Sequence, residues 1–159
     1  MSYMDVLKTA PQVMTPGSSA CQGCGGELIL RRVMQIAGSN SVFAVPRGTK
    51  MLYVCYDNEG YMNTGFQRSS TTSLGSRTST TPTGAAINGK EQSAKYVPLI
   101  MAMHNIEYCA TASPSNMPDF VAKVKRGLEA GKNGFAYLHV FSPCPTGWSF
   151  KPDESIDVA

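Results

Sequence analysis

The sequence predicts an α/β fold in which a mainly parallel sheet is flanked by helices. Short apolar runs typical of strands alternate along the chain with segments of helical periodicity, as in layered α/β domains. Polar residues able to carry chemistry follow directly after three of the apolar runs. Because ligands of such sheets bind beyond the carboxyl ends of the strands, we expect function at those three junctions.

Length and composition indicate a globular protein with one domain. The chain has 159 residues, of which 42% are hydrophobic and 16% charged, and its net charge is +3. The basic residues are scattered, so a nucleic-acid partner is not expected. The apolar runs are far shorter than the roughly 20 residues that cross a bilayer, so no membrane is expected either. Without an apolar leader, the protein is expected in the cytoplasm, with its five cysteines as reduced thiols or metal ligands.

The first elements are predicted from periodicity and from their end signals. A helix is expected over 26–37, because apolar residues recur there at helical spacing and Gly38 follows. SVFAV at 41–45 is a candidate buried strand, and MLYVCY at 51–56 is a stronger one. Residues 65–89 have the Ser-, Thr- and Gly-rich composition of a flexible loop.

The remaining elements continue the alternation. Pro98 suits the first turn of a helix, and IEYCAT at 106–111 is predicted to be a strand. A third helix is predicted within 113–131, a segment that starts with polar cap candidates and ends in a glycine. FAYLHVF at 135–141 is a further strand, which SPCPTGW terminates.

The chain is predicted to be one domain between two short end segments. Residues 1–20 are expected to form an N-terminal arm, residues 21–148 the domain, and residues 149–159 a C-terminal tail.

Two cysteines spaced as Cys-x-x-Cys precede the first helix. Cys21 and Cys24, with glycines around them, are half of a site for zinc or for an iron–sulfur cluster. They could equally form a redox pair, or be two incidental thiols. Cys144 lies between two prolines at the carboxyl end of a strand and is a third candidate metal ligand.

The other cysteines and both histidines are assigned structural roles. Cys55 and Cys109 lie inside apolar strands, where small buried hydrophobic side chains are expected. His104 and His139 lie at a helix end and inside a strand, where packing roles are expected.

An acid and two amides follow the strand MLYVCY. Asp57, Asn58 and the backbone around Gly60 offer hard oxygen ligands, which suit Mg²⁺. Asn63 and Thr64 could then donate hydrogen bonds to phosphate oxygens. The alternative is an Asx-type turn with no ligand.

Five motifs in a fixed order carry a resemblance to a known family. They are CQGCG, DNEGYMNTGFQRS, TSTTPTG, ATASPS and SPCPTGW. With these motifs the chain, from about residue 19 to 148, resembles the thiamine-diphosphate-binding beta subunit of 2-oxoacid:ferredoxin oxidoreductases. Pyruvate:ferredoxin oxidoreductase (pyruvate synthase) is the most similar member.

This resemblance implies the activity, cofactors and partners. Family members oxidatively decarboxylate pyruvate or a related 2-oxoacid to acyl-CoA and CO₂, and electrons pass through an iron–sulfur cluster to ferredoxin. The implied cofactors are thiamine diphosphate, Mg²⁺ and a [4Fe-4S] cluster. The implied partners are alpha, gamma and delta type subunits, ferredoxin, coenzyme A and the 2-oxoacid. No catalytic side chain is expected in this chain, because the activating glutamate of the family comes from the alpha subunit.

The resemblance also implies site residues. Asn58 and Gly60 match the Mg²⁺ ligands, and Asn63 and Thr64 match the contacts to the diphosphate. The remaining matches are Asp57 and Gly65 in the same cofactor loop, and Cys21, Cys24 and Cys144 as three of the four cluster ligands.

Two family motifs are missing from the chain. Neither the G-D-G that supplies a Mg²⁺ carboxylate nor the A-T-G-C with a further cluster cysteine is present. An internal deletion near residues 45–50 is therefore expected, leaving an incomplete thiamine-diphosphate-binding domain. Since only PRGTK joins SVFAV to MLYVCY, pairing of these strands would have to be antiparallel, and the region before residue 50 is predicted to be displaced. The alternatives are a catalytically incompetent fragment that keeps subunit-assembly surfaces, and a small Cys-x-x-Cys metal-binding module.

Overall fold

Three parallel strands form one sheet in the computed structural model, which describes residues 22–37, 50–86 and 88–159. The strands are β1 (Met51–Asp57), β2 (Tyr108–Ala112) and β3 (Phe135–Phe141). Their spatial order is β1-β3-β2, and β3 is parallel to both neighbours. The predicted α/β fold with a mainly parallel sheet is confirmed. The arm at 1–20, Cys21, the candidate strand SVFAV and most of the predicted junction at 45–50 lie outside the described residues.

Helices connect and flank the strands, largely as predicted. The helical segments are α1 (Gly25–Ala37), α2 (Val97–Ala102), α3 (Met117–Ala130), α4 (Pro145–Trp148), a 3₁₀ turn (Pro152–Glu154) and α5 (Ser155–Val158). Proline lies in the first turn of α2, and the side chain of Asn116 caps α3 by accepting a hydrogen bond from Asp119 N at 3.2 Å. No helix among the described residues combines the length and apolarity needed to cross a bilayer.

The hydrophobic core lies between one face of the sheet and helices α1 and α3. Strand residues alternate between the two faces, so every second residue of β3 points into this core. Phe120 and Val124 of α3 pack there against Leu138 and Val140, and all four are buried. Ile29 and Val33 of α1 complete the cluster.

The opposite face of the sheet carries polar and aromatic side chains. Cys55 of β1 is in register with His139 of β3, and Tyr53 is in register with Tyr137. The ring planes of Tyr53 and Tyr137 stack with centroids 5.9 Å apart. Cys109 of β2 also lies on this face, where its thiol donates to the Pro98 carbonyl oxygen of α2 at 3.2 Å. Cys55 and Cys109 are therefore half-buried, not enclosed in the core as the sequence suggested.

The segment 65–89 contains no helix or strand in its described part, as its composition predicts. Hydrogen bonds nevertheless link distant points along it. Ser79 N donates to the Phe66 carbonyl oxygen at 2.9 Å, and Gly75 N donates to the Lys90 carbonyl oxygen at 2.7 Å. This segment folds back towards the carboxyl end of β1, where the candidate site lies.

Candidate functional site

Two consecutive Asx turns shape the chain at the carboxyl end of β1. One carboxylate oxygen of Asp57 accepts from Glu59 N at 2.8 Å and from the hydroxyl of Thr71 at 2.9 Å. The amide oxygen of Asn58 accepts from Gly60 N at 3.4 Å. Glu59 adopts φ 60°, in the left-handed region that such turns tolerate. The structure therefore contains the Asx turns that were the alternative to a ligand site, and they leave the Asn58 oxygen with only a long hydrogen bond.

A small loop follows and presents the predicted diphosphate contacts to solvent. Tyr61 and Gln67 close it with reciprocal backbone hydrogen bonds of 3.0 and 3.2 Å. Asn63 and Thr64 are exposed at its tip. Gly65 has φ 101°, and a Cβ there would have no heavy atom within 4 Å, so this glycine serves backbone conformation and not close packing. The loop thus offers side-chain donors to a ligand approaching from outside.

The carboxyl end of β3 lies directly beside this loop. Ser142 N donates to the Asp57 carbonyl oxygen at 2.8 Å. Cys144 caps the short helix α4, its sulfur accepting from Gly147 N at 3.4 Å. Gly147 in turn lies against Met62 of the loop. The sequence-predicted residues of the DNEGYMNTG and PCPTGW motifs are therefore brought together at one edge of the sheet.

The start of α1 is attached to the same edge. Gly25 N donates to the Pro143 carbonyl oxygen at 3.2 Å, and a Cβ on Gly25 would lie 2.7 Å from that oxygen. Cys24 and Cys144 are the chain neighbours of these two bonded residues, and both are half-buried. Within residues 22–37, 50–86 and 88–159, no three His, Cys, Asp or Glu side chains form a group that could hold a metal ion.

Beneath the loop, the side chains of Tyr137, His139 and Asp57 form a hydrogen-bonded network on the polar face of the sheet. The Nε2 of His139 lies 3.2 Å from the second carboxylate oxygen of Asp57. The Nδ1 of His139 lies 2.9 Å from the hydroxyl of Tyr137. Only 14% of the His139 side chain and 16% of the Asp57 side chain are exposed, so water screens this ion pair weakly.

Neighbouring groups shift the pKa values of His139, Asp57 and Cys55. The hydrogen bond that His139 donates to the Asp57 carboxylate, and then its hydrogen bond with Cys55, raise the pKa of His139 to about 9, against the effect of burial. Burial would raise the pKa of Asp57, but hydrogen bonds from His139, Glu59 N and Thr71 together lower it. The hydrogen bond with His139 lowers the pKa of Cys55. This raised pKa favours the imidazolium form of His139, in which both ring nitrogens are donors, one facing Asp57 and the other Tyr137.

The residues present fit part of a Mg²⁺ site. Both carboxylate oxygens of Asp57 are engaged, one by Glu59 N and Thr71 and the other by His139. Asn58 and the backbone of Gly60 remain as neutral oxygen donors. Mg²⁺ is usually held by one or two carboxylates together with phosphate oxygens. The two oxygen ligands of this loop therefore fit an ion whose remaining ligands are supplied by groups outside the loop.

Two adjoining cavities of about 520 and 440 Å³ open beside the loop. Phe66, Arg77, Gly147 and Ser149 line both of them, and Trp148 also lines the smaller one. This is the volume range of small-ligand sites.

Sequence reasoning missed two members of the site. His139 was assigned a packing role, and Thr71 lay in a segment described only by its composition. A usable signal existed for His139, because it is the only histidine in a predicted strand and its neighbours in FAYLHVF are apolar or aromatic. For Thr71 the sequence carries no comparable signal.

A match to a family model shows which protein family the chain belongs to. Residues 33–140 match the family described as thiamine pyrophosphate enzyme, C-terminal TPP binding domain. The chain belongs to the thiamine pyrophosphate enzyme family. The matched range begins within α1 and includes β1, β2 and all but the last residue of β3.

Two relatives within this family carry functional names. The beta subunit of NADH-dependent phenylglyoxylate dehydrogenase from Aromatoleum evansii is 54% identical over 113 residues, which are 71% of this chain and 25% of that protein. Pyruvate synthase subunit PorB from Methanothermobacter thermautotrophicus is 46% identical over 115 residues, which are 72% of this chain and 39% of that protein. The chain thus spans between a quarter and two fifths of the length of these two relatives.

A solved structure is similar in fold. The 2-oxoglutarate:ferredoxin oxidoreductase from Magnetococcus marinus, with 2-oxoglutarate, coenzyme A and succinyl-CoA bound, superposes with a TM-score of 0.52 and 29% identity. The match covers 68% of this chain and 34% of that chain. The resemblance to thiamine-diphosphate-binding beta subunits of 2-oxoacid:ferredoxin oxidoreductases, predicted from the five motifs, is confirmed.

Proposed function

We propose that this chain is the thiamine-diphosphate-binding part of a 2-oxoacid:ferredoxin oxidoreductase beta subunit. The reaction would convert pyruvate or a related 2-oxoacid to acyl-CoA and CO₂ in the cytoplasm. Bound thiamine diphosphate supplies the nucleophilic carbon of this chemistry. One relative is named for phenylglyoxylate and for NADH, so the size of the 2-oxoacid and the electron acceptor are the variable parts of the proposal.

One observation carries the proposal. The DNEGYMNTG loop after β1 and the PCPTGW loop after β3 lie side by side, linked by the Ser142 N to Asp57 O hydrogen bond of 2.8 Å. This is the carboxyl edge of a parallel sheet, where ligands of α/β folds bind. Family membership then favours thiamine diphosphate as the ligand.

We assign the cofactor contacts as follows. Asn58 and the carbonyl of Gly60 hold Mg²⁺, and Asn63 and Thr64 donate to the diphosphate. Gly65 gives the loop its conformation. Asp57 positions Asn58 and does not bind the cofactor itself. Its carboxylate accepts hydrogen bonds from Glu59 N and from His139, and these bonds hold the turn that contains Asn58.

The proposed iron–sulfur cluster would use Cys21, Cys24 and Cys144. The support is the Gly25 N to Pro143 O hydrogen bond of 3.2 Å, which holds the neighbours of Cys24 and Cys144 together. A fourth thiolate would have to come from elsewhere. Alpha, gamma and delta type subunits, ferredoxin and coenzyme A are the partners that this function requires.

Cofactor binding tests the proposal. Calorimetric titration of the purified chain with thiamine diphosphate should give binding that requires Mg²⁺. We expect Asn58→Ala to weaken it by about tenfold or more, as loss of a metal contact usually does. Asn133→Ala is the matched control, since this exposed residue lies in the turn before β3, at the other edge of the sheet. Absence of binding by the unmodified chain would refute the assignment of these contacts.

The engaged carboxylate of Asp57 favours one alternative, a catalytically incompetent fragment that keeps subunit-assembly surfaces. Anaerobic reconstitution with iron and sulfide separates the two possibilities. Iron that is lost in Cys24→Ser and Cys144→Ser, but kept in Cys109→Ser, supports the cluster. A chain that binds neither iron nor thiamine diphosphate is the fragment, and stoichiometric zinc would indicate the small Cys-x-x-Cys module.

A further inference from the structure

A third cavity, of about 350 Å³, has Tyr61 in its wall and shares no lining residue with the two cavities described above. Three cations line it, namely Arg68, Lys90 and Lys95, together with serine hydroxyls and Gln92. No carboxylate is among its lining residues in the described part of the chain. Neither the family match nor the proposed cofactor contacts assign it a ligand.

Lys90 is a buried cation in the wall of this cavity. It is 3% exposed, and its ammonium donates to the carbonyl oxygens of Ser70, at 3.4 Å, and Thr72. An ammonium has three donors, so these two acceptors do not exhaust it. The ion pairs found among the described residues do not include Lys90. Since a buried charge without a counter-ion is costly, an anion bound here would be stabilised.

The two other cations are positioned by neutral partners. The Nη1 of Arg68 donates to the side-chain oxygen of Gln92 at 2.7 Å. The backbone of Lys95 is fixed by its N–H, which donates to the Ser70 carbonyl oxygen at 2.9 Å. Both side chains are exposed, so a solute can reach them. The cavity therefore combines one buried and two accessible positive charges, and no acid among the described residues forms an ion pair with them.

We infer that this cavity binds the phosphate group of a small organic phosphate through Arg68, Lys90 and Lys95. A phosphate carries nearly two negative charges and several strong acceptor oxygens. Arginine binds such oxygens with two parallel N–H donors, and lysine adds a compact charge. Serine hydroxyls of the wall supply further donors. This site is distinct from the exposed tip of Asn63 and Thr64, where the proposed function puts the diphosphate of the cofactor.

Titrations of the full chain by calorimetry at low salt test the inference. The probes are coenzyme A, dephospho-coenzyme A and inorganic phosphate, each without thiamine diphosphate or Mg²⁺. The variant is Arg68→Gln/Lys95→Gln, which leaves the buried Lys90 and its loop intact. The control is Lys125→Gln/Arg126→Gln, which removes the same charge near the end of α3, at the opposite edge of the sheet.

We expect a single binding event, weakened by about tenfold or more for each side chain removed and changed less than about twofold in the control. Binding of coenzyme A but not of dephospho-coenzyme A supports a phosphomonoester as the group bound. Binding of inorganic phosphate alone, with the same response to the variant, supports free phosphate as the source.

Three results would overturn the inference. They are no binding of any probe, equal weakening in the variant and the control, and loss of Mg²⁺-dependent thiamine diphosphate binding in the variant. The last result would make the cavity part of the cofactor site. A failure of the proposed function gives a different result. The unmodified chain then does not bind thiamine diphosphate, while its titration with the phosphate probes is unaffected.

Discussion

The unfolding free energy of this protein should fall as pH rises from neutral to alkaline, and deprotonation of His139 should cause this loss. The hydrogen bonds of His139 with the Asp57 carboxylate and with Cys55 raise its pKa from 6.5 to about 9. A group whose pKa is raised by folding stabilises the folded state below its unfolded pKa. That stabilisation is lost as pH passes through the folded pKa. The window for His139 is therefore pH 6.5 to about 9.

The size of the effect follows from the same shift. At 1.36 kcal/mol for each pH unit, the rise in the pKa of His139 corresponds to at most roughly 3 kcal/mol of unfolding free energy. Solvent screening reduces this little, because only 14% of the His139 side chain is exposed. The lowered pKa of Cys55 acts in the opposite sense, since its thiolate stabilises the fold at alkaline pH and offsets part of the loss. Asp57 contributes nothing to this window, because its lowered pKa affects stability only under acidic conditions.

Urea unfolding at pH 6.0 and 9.5, with thiols kept reduced, measures the effect. Trp148 is the single tryptophan and packs against Phe141 with ring centroids 5.4 Å apart, so its fluorescence reports on the end of β3. We expect the unmodified chain to lose part of its unfolding free energy at the higher pH and His139→Gln to show little such loss. His104→Gln, which changes an exposed histidine, should behave as the unmodified chain. If His139→Gln kept the full pH dependence, the reasoning would be refuted.

Three further substitutions test the fold around the site. Leu138→Ala, at a fully buried position of the central strand, should cost about 2–5 kcal/mol of unfolding free energy. An unchanged urea midpoint would contradict the placement of Leu138 in the hydrophobic core. Asn116→Ala removes the cap of α3 and should cost about 1 kcal/mol, which Asn116→Asp should largely restore in the same measurement. Gly25→Ala puts a Cβ 2.7 Å from the Pro143 carbonyl oxygen and should lower the melting temperature, whereas Gly26→Ala in the same helix should not, because its Cβ meets only an exposed ring.

Local patterns in the sequence sufficed for the elements and for their order. The alternation in MLYVCY and FAYLHVF, the prolines near the starts of α2 and α3, and the polar residues before α3 each act within a few residues of the chain. They predicted β1, β3 and the end of α3 to within one or two residues, whereas α3 begins four residues later than predicted; for α2 they predicted a helix start near Pro98. The helices predicted between these strands also supplied the long crossover connections that parallel neighbours need. The edge at which Asp57 and Cys144 meet follows from that topology alone.

The network beneath the loop could not be predicted, because it depends on strand register. His139 and Asp57 are 82 positions apart, and a shift of one residue between β1 and β3 would turn His139 towards the core. Nothing in either strand by itself selects the observed pairing. The packing of Leu138 and Val140 against α1 and α3 fixes the register of β3. With those two residues turned to the core, His139 between them must point to the opposite, polar face.

The same reasoning explains why the Ser- and Thr-rich segment was described by composition only. Hydroxyl groups are suited equally to a solvated loop and to one held by internal hydrogen bonds, so composition does not distinguish them. The distinction lies in partners that are distant along the chain. Thr71 reaches back 14 residues to Asp57, and Lys90 reaches back 18 residues to Thr72. A lysine in a polar segment is usually a solvated surface residue. Here the returning backbone buries Lys90, which converts an ordinary lysine into the fixed charge on which phosphate binding would depend.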